Sequence, residues 1–142
     1  MKYVLDTNIF NRVLDGRFKL STLPDACSFV ATKIQVRELE AASEPRRAAL
    51  LATFAEVAPD LAPAAFSLDI PGAGLDEGEW SSDERVTRLH GALEARKPKL
   101  NNWQDALIAG VALKNGYGLA TADGNLARVA ADFGIKVYHV TT

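Results

Sequence analysis

The sequence predicts an α/β fold in which a parallel sheet carries helices on both faces. Three observations predict it. Short apolar runs alternate with helical patterns along the chain. Two of those runs, Tyr3-Val4-Leu5 and Gly118-Leu119-Ala120-Thr121, are followed at once or after one residue by acids, Asp6 and Asp123, which places those charges at the carboxyl edge of a parallel sheet, where open α/β folds put their sites. The stretch Ala106 to Leu113 has no polar side chain, which marks a helix buried on most sides.

Taken in order, Lys2 to Leu5 reads as a buried strand. Thr7 or Asn8 can cap a helix that runs to about Leu14 and stops at Gly16. Ala26 to Val30 reads as a second strand, and Thr32 caps a helix to about Ala42. Glu44-Pro45 opens a helix through about Val57, with Pro45 suited to its first turn. The stretch from Pro59 to Trp80 holds Pro63, Pro71, Gly72, Gly74 and Gly78 and reads as loop, with a short strand at Phe66-Ser67-Leu68. Ser82 or Asp83 starts a helix to about Ala95, ended by Arg96-Lys97-Pro98-Lys99. Asn102 caps a helix to about Lys114, and Asn115-Gly116 stops it. Tyr117 to Thr121 is a strand, Asn125 to Phe133 a helix and Lys136 to Val140 a last strand. No internal repeat or low-complexity tail interrupts this order.

A chain of 142 residues is expected to form one domain, spanning 1–142, and 48% apolar with 24% charged residues is the balance of a globular protein. The net charge of −2 predicts no general affinity for polyanions, so any contact with nucleic acid must come from local basic patches. The single cysteine, Cys27, excludes an internal disulfide framework, fits a cytoplasmic setting and reads as an inert core thiol. Asp6 and Asn8 break the amino-terminal apolar run, so neither a signal peptide nor a membrane span is expected.

Four acids stand out: Asp6, Glu38, Asp105 and Asp123. Each has an ordinary explanation. Asp6 and Asp123 can be helix caps, Glu38 a solvated helical acid, and Asp105 an anion favoured by a helix dipole. Glu40 is the rival to Glu38 but lies on a different helix face. Asp105 is the most telling, because a carboxylate on a buried helix needs more compensation than a dipole supplies. A doubly wound sheet brings all four positions to one edge, and convergent carboxylates are the ligand set of hard divalent ions such as Mg²⁺ or Mn²⁺. His90 and His139 lack the paired spacing of a zinc site. No Gly-rich phosphate loop follows the first strand, and no Gly-x-Ser-x-Gly elbow is present. Asp6 lacks the acidic neighbour of a receiver domain, and Asn8 stands where a haloacid-dehalogenase-type phosphatase needs an aspartate.

Val4-Leu5-Asp6-Thr7-Asn8, Glu38-Leu39, Asp105-Ala106-Leu107-Ile108-Ala109 and Leu119-Ala120-Thr121-Ala122-Asp123 resemble, in order and spacing, the four motifs of PIN-domain nucleases. At this length the chain is most similar to VapC-type toxins of prokaryotic toxin–antitoxin pairs. The resemblance implies a three-layer α/β/α sandwich around a mostly parallel sheet, Mg²⁺- or Mn²⁺-dependent endoribonuclease activity on RNA, homodimers and a cognate antitoxin. It implies that Asp6, Glu38, Asp105 and Asp123 are the metal-site and catalytic acids, that Thr7 and Asn8 orient Asp6, and that Thr121 is a hydroxyl beside the metal.

Lys33 and Arg37, one turn apart on the Glu38 helix, and Arg96, Lys97 and Lys99, just before the Asp105 helix, are the expected phosphate contacts; solvated surface charge is the competing explanation for each. Trp80 and Trp103 are read as packing residues before base-stacking ones. The acids Asp69, Asp76, Glu77 and Glu79 place the Pro/Gly stretch away from a substrate path. Two alternatives share the fold: a non-catalytic RNA- or protein-binding module, and a DNA-cleaving relative.

Overall fold

The computed structural model describes residues 2–24, 28–57, 60–61 and 84–141. The elements are β1 (Lys2–Leu5), α1 (Thr7–Leu14), a 3-10 turn (Leu20–Thr22), β2 (Ser28–Ala31), α2 (Lys33–Glu40), α3 (Arg46–Val57), β3 (Asp60–Leu61), α4 (Glu84–Arg96), α5 (Asn102–Asn115), β4 (Gly118–Thr121), α6 (Gly124–Asp132) and β5 (Val137–His139). Among the described residues they form a 5-stranded sheet of order β3-β2-β1-β4-β5, every neighbouring pair parallel. The chain leaves β1 for β2 on one side and later returns to β4 on the other. That reversal opens a crevice at the carboxyl ends of β1 and β4, the position where open α/β sheets bind ligands.

The period-2 alternation of β1 assigns the layers. Tyr3 and Leu5 pack with Ile9, Phe10, Leu39 and Leu50 from α1, α2 and α3. Val4 packs on the opposite face with Leu89, Leu93, Ile108 and Leu126 from α4, α5 and α6. The result is the expected three-layer α/β/α sandwich. Helix α5 forms the middle of its layer, and Ala106 to Ala112 are buried without interruption, as the apolar run predicts.

Several local expectations are corrected. Asp6, and not Thr7 or Asn8, caps α1, because its carboxylate accepts the Thr7 N–H at 2.8 Å. Asn102 does not cap α5. It is the first helical residue and is fully buried, so its amide must find partners locally. It donates to Glu94 Oε2 at 2.7 Å and to the Lys97 carbonyl at 2.9 Å. Helix α3 begins one residue after Pro45, and α2 ends at Glu40 instead of Ala42. Asp60–Leu61, read as loop, extends the sheet beside β2; two residues are too few to show a strand period. Thr32 does start α2, and the Gln35 side chain accepts its N–H at 2.6 Å, the reciprocal half of a capping box. Cys27 and its neighbour Ala26, the expected strand Phe66-Ser67-Leu68, the helix start at Ser82 or Asp83, Trp80 and the acids from Asp69 to Glu79 lie outside the described residues.

Gly16 and Gly116 end α1 and α5 at φ 73° and 69°, the left-handed conformation that glycine adopts without strain. Gly118 is required for a different reason. It pairs with Tyr3 in the β1–β4 register, and a Cβ there would stand 2.6 Å from the ring of Tyr3, a side chain only 1% exposed. Gly118→Ala is therefore expected to destabilise the protein by about 1–3 kcal/mol through overpacking. Urea denaturation measures this, and a neutral result would mean that the Tyr3 ring can shift.

Candidate active site

The carboxyl ends of β1 and β4 are tied together by side chains. Asp6 leaves β1 with its backbone N–H still paired to the Ala120 carbonyl at 2.9 Å. Its carboxylate is 5% exposed and fully engaged. Oδ1 accepts the Thr7 N–H at 2.8 Å, and Oδ2 accepts the Thr121 hydroxyl at 2.6 Å and Asn8 Nδ2 at 3.1 Å. Asn8 also accepts the Ala122 N–H at 3.0 Å, so it bridges the two strand ends. Burial pushes the Asp6 carboxyl above its ordinary range, against the hydrogen bonds from Thr121 and Thr7 and with the nearby Asp123 charge.

Asp123 caps α6, accepting the N–H groups of Asn125 at 2.9 Å and Leu126 at 3.1 Å on Oδ1. Its own N–H donates to Thr121 Oγ1 at 3.0 Å, so one hydroxyl serves two acids. Burial works to raise Asp123, but the Lys99 ammonium and the α6 N–H groups outweigh it and leave the carboxyl below its usual range. Glu38, on α2, accepts the Thr7 hydroxyl at 2.5 Å; burial raises it, Thr7 opposes this, and the Asp6 charge adds to the rise. Thr7 thus orients Asp6 through its backbone only, and its hydroxyl holds Glu38. Glu40, the rival acid, is exposed.

Asp105 is the least satisfied member. It is 5% exposed on α5, and its partner among the described residues is the Lys99 ammonium at 3.7 Å, beyond hydrogen-bond length. Burial, then the charge of Asp6, and behind them those of Asp123 and Glu38, push it up to about 8, against the pull of Lys99. Each of the other three acids therefore acts on Asp105, which is the electrostatic sign of convergence.

The basic residues divide. Lys33, Arg37, Arg96 and Lys97 are exposed, and Arg96 Nε donates to Asn125 Oδ1 at 3.2 Å. Lys99 instead turns into the acidic cluster, 2.8 Å from Asp123 Oδ2. Its pKa is raised: partial burial lowers it, but the Asp123 hydrogen bond and the surrounding charges prevail. Trp103 stacks on His90 with ring centroids 3.7 Å apart, as expected of packing. Sequence reasoning missed Gln35, whose fully buried amide donates to the Leu5 carbonyl at 2.8 Å and so pins α2 to the residue before Asp6. The Thr32-x-x-Gln35 spacing was the available signal.

Among the described residues, no group of three or more His, Cys, Asp or Glu side chains is arranged to hold a metal ion. The donor chemistry nonetheless fits a hard divalent ion. All four groups offer carboxylate oxygens, and among the described residues Asp105 has no hydrogen-bond donor for its charge.

No protein-family model matches the chain, and no curated protein matches it. Among solved structures, the fold is that of a PIN-like α/β protein. More particularly it is VapC-like. The chain is similar to a member of the VapBC family of toxin–antitoxin systems, VapBC-5 from Mycobacterium tuberculosis, with 25% identity, a TM-score of 0.60 and 98% of each chain covered. A domain of a functionally unknown protein from Methanocaldococcus jannaschii shares the fold at 20% identity and a TM-score of 0.54, over 99% of this chain and 91% of that one.

The position of Asp105 sets a pH dependence. Its folded pKa of about 8 lies above the ordinary 3.8, so folding favours its neutral form. That contribution is complete below about pH 4 and is lost as pH rises through about 8. In chelator, Asp105→Asn is expected to be more stable than the parent at pH 8.5, by on the order of several kcal/mol, with the gap narrowing as pH falls and closing near pH 4. Thermal denaturation across this range checks it; a pH-independent gap would contradict the assignment.

Proposed function

We propose that this protein is a divalent-metal-dependent endoribonuclease that hydrolyses RNA phosphodiester bonds and acts as the toxin of a toxin–antitoxin pair. The observation that supports the reading is Asp105, a carboxyl buried on α5 that feels the charges of Asp6, Asp123 and Glu38 and is pushed up to about 8, first by burial and then by those charges. The likeness to a VapBC-family structure supports the toxin assignment, and with it a cognate antitoxin; the proposal adds a homodimer. The proposal takes residues 1–142 as one domain acting on cytoplasmic RNA. No helix among the described residues is long and apolar enough to cross a membrane.

In this proposal the four acids hold Mg²⁺ or Mn²⁺, which supplies Lewis-acid activation of water and neutralises charge on the phosphodiester. Asn8 and Thr121 fix the Asp6 carboxylate by hydrogen bonds at 3.1 and 2.6 Å, and Thr7 fixes Glu38. Lys33, Arg37, Arg96 and Lys97 meet the phosphates outside the crevice. No histidine is needed as a base.

Lys99 beside Asp105 and Asp123, together with the lack of a ready ion cage among the described residues, favours a second reading, a non-catalytic module of the same fold. Cleavage of a pool of structured and single-stranded RNA, with Mn²⁺, with Mg²⁺ and with chelator, separates the two. Cleavage is expected only with metal, with Asp105→Asn at background and Thr121→Val reduced about 10- to 100-fold. RNA binding without metal-dependent cleavage would establish the module instead. Lys33→Ser with Arg37→Ser should flatten the salt dependence of RNA binding, by roughly 0.7 in log–log slope per lost phosphate contact. An unchanged slope would remove α2 from the RNA path.

A further inference from the structure

We propose that Lys99 is a tethered counter-cation that holds the acidic site in the absence of a divalent ion, and that ion entry displaces its ammonium from Asp105 and Asp123. The inference rests on the metal-dependent reading above. Its first support is the sorting of carboxylate oxygens. Both oxygens of Asp6 are taken by Thr7, Asn8 and Thr121, and Oδ1 of Asp123 is taken by the start of α6. Asp105 and Oδ2 of Asp123 have no neutral donor among the described residues, and these are the groups that Lys99 faces, at 3.7 and 2.8 Å.

The second support is mechanical. The backbone carrying Lys99 is held in place. Glu94 Oε2 accepts the Lys99 N–H at 3.2 Å and Asn102 Nδ2 at 2.7 Å, and Asn102 also holds the Lys97 carbonyl. The side chain is 26% exposed, and its flexible four-carbon stem lets the ammonium leave by rotation towards solvent without moving the loop. The third support is charge. One ammonium faces both Asp105 and Asp123, whereas a divalent ion would bring twice the charge to the same oxygens. An ion and the ammonium cannot share them, so they compete.

Competition predicts that removing the ammonium tightens ion binding. Mn²⁺ titrated calorimetrically into Lys99→Gln and Lys99→Met should bind about three- to tenfold more tightly than to the parent, the gain expected from losing one partly exposed ion pair. Lys99→Arg, which keeps the charge, should stay near the parent. The parent itself gives an independent readout. With ¹⁵N-labelled lysine, the Lys99 Nζ resonance should move on Mg²⁺ addition to the position of a freely exchanging lysine. Equal or weaker Mn²⁺ binding by both neutral variants, or an Nζ resonance indifferent to Mg²⁺, overturns the inference while metal-dependent cleavage by the parent leaves the nuclease reading intact. A parent that neither binds Mn²⁺ nor cleaves RNA overturns both.

Discussion

The hydrogen bond from the Thr121 hydroxyl to Asp6, 2.6 Å long and buried, is the contact on which the rest of the site depends. It joins residues 115 apart in sequence, across the central β1–β4 pair. By accepting the Asp123 N–H, the same hydroxyl positions two acids at once. Asn8 repeats the tie between the strand ends, and Gln35 attaches α2 to the Leu5 carbonyl, one residue before Asp6. The sheet register, the caps of α1 and α6 and the direction of α2 therefore meet within a few bonds. A buried carboxylate without such donors would cost about 1–3 kcal/mol or more. These neutral groups are what make an acid at the centre of the sheet compatible with folding.

The capping and clustering explanations of these acids are both correct, for different atoms. Asp6 and Asp123 each give one oxygen to the start of the helix that follows; the other oxygen of Asp6 is held by Thr121 and Asn8, and that of Asp123 faces Lys99. Glu38 is served by Thr7. Asp105 is served by no neutral donor among the described residues, so burial, and behind it the charges of the other three acids, lifts its pKa from 3.8 to about 8. A shift of that size corresponds to several kcal/mol on the order-of-magnitude scale of about 1.4 per unit. A partly exposed ion pair contributes roughly 0–1 kcal/mol. Lys99 moderates the strain at Asp105 without cancelling it.

What the sequence made legible follows from how local each signal is. Asp6 and Asp123 could be read because a strand end and a helix start coincide at each, and Asp105 because it is a lone charge against an uninterrupted apolar helix. Glu38 was separable from Glu40 by helix face alone. The inward turn of Lys99 was not legible: the loop Lys97–Asn101 has no period, and a basic residue before a helix reads equally as a phosphate contact. Asn102 looked like a cap because its type favours caps, but complete burial sends its amide to Glu94 and Lys97. The Thr7 hydroxyl reaches Glu38 across 31 residues, a pairing that only tertiary structure decides.

The same distribution of contacts limits how the site can respond to a change in charge. Asp105 cannot retreat, because α5 is packed on all sides from Ala106 to Ala112 and a shift of the helix would disturb the whole layer of α4, α5 and α6. Asp6 and Asp123 cannot turn without uncapping α1 or α6. Close-packed interiors of this kind do not deform gradually. The loop before α5 is anchored through Glu94, so its backbone is held as well. What remains adjustable is the ammonium of Lys99, carried on a flexible stem at the solvent side of the crevice. The partly exposed Lys99 side chain, 2.8 Å from Asp123 and 3.7 Å from Asp105, is therefore the charge in this cluster that can move while the helices stay packed.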